Sequence, residues 1–217
     1  MTKPTLKPFD LADPVIAGIL NAATAEFAQY GLGGARLERI IANTHTSKRM
    51  VYYHFGSKEG LYQAVLEHVF ADARFREDSF DLNLGTAKQA LEKFVINVFD
   101  AFSDRPDFAR LLTFENLSGA VHIQGSELIS KLNQRSLSYV EHILKRGQDE
   151  GSMRLDIVAI DLYMNIVGLC YYQVANRAGY VAGGFKALSA KNFSVDKFQM
   201  QRKRAVVETA ARYAMLI

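Results

Sequence analysis

A single cysteine stands in this chain of 217 residues, and tryptophan is absent. Cys170 has no partner for an internal disulfide, so the chain is not a disulfide-stapled scaffold. On an apolar helical stretch it reads as a packing residue, with redox sensing as the alternative. Five histidines (His45, His54, His68, His122 and His142) are scattered, and no pair sits at metal-ligand spacing beside a third ligand. A phosphate loop and a serine or cysteine nucleophile motif are also missing. Glu115 and His122 have the chemistry for acid–base work, yet nothing in the sequence places them together. An enzyme is not expected, and neither a metal nor a cofactor is implied.

Long hydrophobic runs are scarce too. The most apolar, from Ile157 to Ala175, is interrupted by Asp161, Asn165 and Gln173, which excludes a membrane span. The first eight residues carry Lys3 and Lys7 but no apolar core for export. The cytoplasm is the expected location. Residues 1–12 read as a flexible arm, with Lys3 and Lys7 available to touch a polyanion or simply as a disordered end. Few segments alternate with a period of two, and no internal repeat is visible. What remains is an apolar share of 49%, ample for a core, and 23% charged residues, typical of soluble chains. Such a length holds one or two compact domains.

The net charge of +3 does not by itself suggest nucleic acid. Its distribution does. Between Arg36 and Lys58 five basic residues (Arg36, Arg39, Lys48, Arg49 and Lys58) face Glu38 alone, a local excess of +4. Asp13-Pro14 offers a capping acceptor before a proline at the first helical position. Ile16, Leu20, Ala23, Phe27 and Tyr30 follow on one helical face, and Gly31, Gly33 and Gly34 end that helix. A short second helix has Leu37, Ile40 and Ile41 inward and Arg36 and Arg39 outward. Asn43-Thr44-His45-Thr46 makes the turn. Ser47 then caps a helix of about two turns that carries Lys48, Arg49, Tyr52, Tyr53 and His54, groups suited to phosphates and base edges in a DNA groove. Val51 and Phe55 are its apolar anchors, and Ser57 caps the next helix. Two short helices joined by a tight turn, the second basic, predict a helix-turn-helix.

These residues also carry a resemblance. Ile40-Ile41, Thr44-His45-Thr46-Ser47-Lys48, Val51-Tyr52-Tyr53-His54-Phe55 and Ser57-Lys58-Glu59-Gly60-Leu61 follow, in order, the pattern of TetR-type transcriptional regulators over residues 14–70. His45 stands where that pattern has a turn glycine, Thr46 where it has a buried valine, Ile41 for an alanine and Arg36 for a threonine. The likeness implies DNA contacts from Arg36, Thr46, Ser47, Lys48, Arg49, Tyr52, Tyr53, His54 and Lys58, with Tyr52 on a backbone phosphate. Lys58, at a helix N-terminus that itself favours anions, is placed to hold another.

Beyond residue 60 the periodicity stays helical. A helix over 58–76 joins the two domains. Ala87, Leu91, Phe94, Val95, Val98 and Phe102 mark another, Pro106 opens a shorter one, and Leu128 to Leu144 lie on a longer one. Asp156 is expected to cap the next, with Ile157, Ile160, Met164, Val167 and Tyr171 along one stripe. A last helix spans about residues 195–216. The expected fold is all-α, of about nine helices: the arm (1–12), a helix-turn-helix domain (13–60) and a helical sensing and dimerisation domain (61–217). The resemblance implies a homodimer through helices near 156–178 and 195–216, on a palindromic DNA operator. It also implies a small-molecule inducer, with Phe94, Phe114, Glu115, Asn116, Tyr163, Tyr171, Tyr172, Asn176 and Arg177 as candidate pocket residues. The run from Pro106 to Leu117 and the helix at Ile166–Tyr172 resemble the RutR-like subgroup, which points to an aromatic or heterocyclic catabolite. Repression by occluding polymerase is the family's usual mode. The alternative is a helical small-molecule carrier or adaptor that binds no DNA.

Overall fold

The computed structural model describes residues 13–44, 46–75, 85–183 and 194–216. Among these lie eleven helices: α1 (Pro14–Gly34), α2 (Leu37–Ala42), α3 (Lys48–Phe55), α4 (Lys58–Phe75), α5 (Ala87–Asp104), α6 (Pro106–Leu117), α7 (Val121–Gln124), α8 (Glu127–Asp149), α9 (Ala159–Ala175), α10 (Arg177–Ala182) and α11 (Val195–Ala214). The all-α class is as expected. The count exceeds nine because the short α7 and α10 carry too few residues to show a hydrophobic period.

The described residues divide into two compact units, one falling within 1–71 and 110–129, the other within 72–109 and 130–217. The first therefore takes in segment 110–129, which chain order alone had assigned to the C-terminal domain.

In the first unit, Asp13 Oδ1 accepts from the Val15 amide at 2.8 Å and Pro14 occupies the first helical position. The α1 face of Ile16, Ile19, Leu20, Ala23 and Phe27 is buried. Tyr30, expected on that face, is 41% exposed. The break comes at Gly31, whose φ of +63° only glycine adopts freely. A Cβ there would also lie 2.8 Å from the Phe114 ring of α6. Phe27 packs edge-on against Tyr62 of α4, with centroids 5.0 Å apart.

In the second unit, Thr86 and Gln89 form a reciprocal capping box at the start of α5. Ala87, Leu91, Phe94, Val95, Val98 and Phe102 are all buried, and α5, α9 and α11 pack on one another. Asp156 does not cap α9. Its carboxylate takes the Arg154 guanidinium at 2.6 and 2.9 Å, and the N-cap position falls to Val158, which has no capping side chain. An ion pair two residues away outcompetes a cap that the chain has to turn to reach. The Arg154 amide donates to Ala214 O at 2.9 Å, which pins residues 152–154 to the end of α11.

Candidate nucleic-acid interface

The proposed reading helix is built from its ends inward. Ser47 Oγ accepts from the Met50 amide at 3.3 Å, a serine N-cap. Gly56, at φ +75°, closes α3 by donating its amide to Tyr52 O at 2.9 Å. Ser57 Oγ accepts from the Gly60 amide at 3.0 Å and opens α4. Val51 and Phe55 are buried at 0% and 3% exposure, so the helix rests on two apolar anchors one turn apart. The opposite face is open: Ser47, Lys48, Arg49, Tyr52 and Tyr53 are exposed, Tyr53 at 77%. Thr46, His54 and Lys58 are half-buried, and the His54 ring lies edge-on to Tyr53. Before this helix, Thr44 bonds back to Ile41 O through both its amide and its hydroxyl. His45, the unusual turn residue, lies outside the described residues, as do Lys3 and Lys7.

Two of the five basic residues in this segment have partners within the protein. Arg39 was expected outside with Arg36, but its Nε donates to both carboxylate oxygens of Glu26, at 2.8 and 3.0 Å. Its Nη2 reaches Gly34 O at 2.9 Å, and the guanidinium lies 4.2 Å from the Tyr30 ring centroid. Glu26 is buried and also accepts the Arg36 amide at 2.8 Å. Burial pushes the Glu26 carboxyl up most strongly. The Arg39 and Arg36 hydrogen bonds, with the charges of Arg39 and Lys58, together hold it below the usual range. Arg39 is therefore a brace between α1 and α2. The sequence held one sign of this: Glu26 is the sole charged residue in the 21 residues of α1.

Lys48 is the second. Its Nζ sits 2.9 Å from Glu38 Oε1 on α2, both side chains being exposed. Water screens so open a pair, which adds little to folding. The Lys48 hydrogen bond, then a backbone hydrogen bond and the Lys48 charge, hold the Glu38 carboxyl below its ordinary value. Arg36 is exposed at the N-cap of α2, with no capping bond from its side chain.

The candidate inducer residues fall in both units. Phe114, Glu115 and Asn116 belong to the first unit, and Phe94, Tyr163, Tyr171, Tyr172, Asn176 and Arg177 to the second. Glu115 and His122, which the sequence could not place together, meet at 3.1 Å. Glu115 is buried at 1% exposure and also accepts the amides of His122 and Ile123 at 3.2 and 3.3 Å, where α7 begins. Tyr62 gives it a further hydrogen bond; burial, then the Glu115 charge and that bond, push the Tyr62 phenol well above its ordinary value. With both carboxylate oxygens engaged, Glu115 reads as the brace that holds α7 in place rather than as a pocket acid. Asn116 is exposed, and Phe114 is half-buried against Gly31.

In the second unit Phe94 is packed in the core at 1% exposure. Tyr171 meets Phe102 edge-on, Tyr172 is 53% exposed beside Tyr180, and the Asn176 amide bonds Tyr172 O. Tyr163 is buried, and its hydroxyl lies 2.9 Å from Arg74 Nη2. The same nitrogen reaches Asn133 Oδ1 at 3.3 Å. Sequence reasoning missed this cluster from α4, α8 and α9, because an arginine in the last turn of a helix reads as ordinary dipole compensation. Among the described residues no three His, Cys, Asp or Glu side chains are grouped to hold a metal ion, and no helix is long and apolar enough to cross a membrane.

A capped, basic and aromatic second helix packed behind a short first one defines a helix-turn-helix DNA-binding protein. Residues 19–65 match the family described as bacterial regulatory proteins, tetR family, and residues 88–209 match the tetracyclin repressor-like C-terminal domain. The chain belongs to the TetR family. It is 35% identical over 166 residues to the HTH-type transcriptional repressor NicS of Pseudomonas putida, covering 76% of this chain and 78% of that one. It is 36% identical to the HTH-type transcriptional regulator RutR of Escherichia coli over 107 residues, about half of each chain (47% and 48%). A regulatory protein of the tetR family from Rhodococcus RHA1 shares the fold with a TM-score of 0.73 at 19% identity, over 94% of this chain and 99% of that one. These likenesses are to transcription regulators and not to enzymes.

Proposed function

We propose that this protein is a ligand-responsive, dimeric transcriptional repressor that binds a palindromic operator and is released by a small-molecule inducer. The observation that carries the reading is α3 itself, where Arg49, Tyr52 and Tyr53 stand exposed on a helix fixed by Val51, Phe55 and two caps. Arg36, Thr46, Ser47, Lys48, His54 and Lys58 complete the interface. Phosphate contacts from Arg36, Tyr52 and Lys58 set the register, and Arg49 with its neighbours reads base edges.

One such head makes few base contacts, so two copies are needed, with their reading helices about 34–36 Å apart or a multiple of that. A second copy is supported by α9. Leu162, Tyr163, Ile166 and Cys170 are buried, while Ile160, Met164 and Tyr172, spaced by multiples of four with Gly168 between, are exposed. A helix apolar on both faces needs a second partner, and α11 is the natural companion in a four-helix contact.

For the inducer, the Arg74–Tyr163–Asn133 cluster gathers polar groups from three helices, and an arginine fork suits a carboxylate or a heterocycle edge. An aromatic or heterocyclic catabolite fits that chemistry. A ligand that binds the DNA-incompetent state tenfold better shifts the equilibrium by about 1.4 kcal/mol.

Fluorescence anisotropy with DNA from upstream of the encoding operon tests the core of the reading. A specific complex at low salt, weakened by a catabolite that also raises the melting temperature, is the expected result. No specific complex from purified, inducer-free protein would favour the carrier or adaptor instead.

A further inference from the structure

The Lys48–Glu38 pair has no evident structural duty. Glu26 braces α1 to α2 from a buried position, whereas the Glu38 and Lys48 side chains are 68% and 53% exposed. Pairs this open add little to folding. What sets the pair apart is its place. Glu38 is the only acid between Arg36 and Lys58, and it holds the first residue of α3, the helix proposed to enter the groove.

Resting on that DNA-binding reading, we propose that Glu38 is a specificity-determining residue, a phosphate mimic that occupies Lys48 until the operator's own contacts have seated α3. Non-operator DNA is held almost wholly by phosphate contacts, each of which releases counterions. In such a loose complex Lys48 has two competing acceptors, a phosphate and the Glu38 carboxylate 2.9 Å away, and one contact is forfeited. On the operator, the base contacts of α3 fix the helix against the backbone. Lys48 then faces a phosphate at a set distance, and the exposed Glu38 is displaced into solvent at small cost. Glu38 thus subtracts more from non-operator than from operator affinity.

The test uses full-length protein with two duplexes: one recovered from random sequence by wild-type protein, and a shuffled duplex of the same composition. Glu38→Gln is expected to tighten binding to the shuffled duplex about three- to tenfold and to steepen its log K against log salt slope by about 0.9 per head. The selected duplex is expected to gain less than about threefold, so discrimination falls. Lys48→Gln combined with Glu38→Gln is expected to erase the gain. Equal gains on both duplexes, or a gain that survives Lys48→Gln, would mean that Glu38 acts only by its own charge and would overturn the proposal. So would unchanged affinities. Failure of wild-type protein to select any duplex would instead overturn the DNA-binding reading. Circular dichroism melts of each variant, expected to match wild type closely for an exposed pair, keep folding out of the comparison.

Discussion

Glu26 and Arg39 are joined by two hydrogen bonds from one nitrogen, at 2.8 and 3.0 Å, with the carboxylate buried in the first unit. This engages the Arg39 charge within the protein and ties α1 to α2 behind α3. It also fixes a pH dependence. The folded carboxyl titrates below its usual value, so its stabilisation is complete above the unfolded value of about 4.3 and is lost as pH falls through the lower folded value. Urea denaturation from about pH 7 to about pH 3 is expected to show stability falling with acid. Glu26→Gln should lower stability at neutral pH by about 1–3 kcal/mol and flatten that acid limb. An acid limb as steep as wild type's would refute the assignment.

Lys58 and Arg49 are expected to separate affinity from preference. Lys58→Ala should weaken binding to all duplexes alike and flatten the salt dependence by about one unit. Arg49→Ala should relax the operator preference, at about 1–3 kcal/mol for the bases it reads. Salt titrations by anisotropy check the first and a binding-site selection the second. A selection that returned the wild-type profile would remove Arg49 from base reading.

Gly31 combines a left-handed backbone with a close ring neighbour. Gly31→Ala is expected to cost about 1–3 kcal/mol for the backbone alone, and more for the contact with Phe114. A chemical denaturation cycle with Phe114→Ala should show positive coupling: the second change relieves the steric part and leaves the conformational part. Additive losses would show that Phe114 yields without cost.

Cys170 is fully buried, and burial, with a smaller contribution from Asp100, pushes its thiol up to about 12. The nucleophilic thiolate is therefore scarce at neutral pH. An aromatic disulfide reagent should label it only as fast as the second unit opens, and at once in guanidinium chloride. Prompt labelling of native protein would restore the redox-sensing alternative.

The head was legible because its signals are local. Ser47 and Ser57 accept amides three residues on, Gly56 donates its own amide to a carbonyl four residues back, and Val51 and Phe55 declare a buried face by helical spacing. What escaped reading was tertiary. The Glu26–Arg39 brace spans 13 residues, and the Glu115–His122 contact depends on a tight turn after α6 in which Ala120 adopts a φ of +56°. Composition cannot distinguish an arginine bound for phosphate from one bound for a buried acid. The same holds for Arg74, whose partners Asn133 and Tyr163 lie 59 and 89 residues away. Asp156 shows the opposite failure, since a favourable local cap lost to an equally local ion pair with Arg154.

The junction at Gly56 and Ser57 has a mechanical consequence. The last bond of α3 ends on Gly56 and the first cap of α4 begins on Ser57, so no slack residue separates the two helices. Helix α3 cannot slide along its axis or change pitch without opening the first turn of α4. In the proposed regulator, a switch between bound and released states is then expected to carry α3 and the start of α4 together, as one stiff bent rod whose angle, rather than its internal shape, is adjusted.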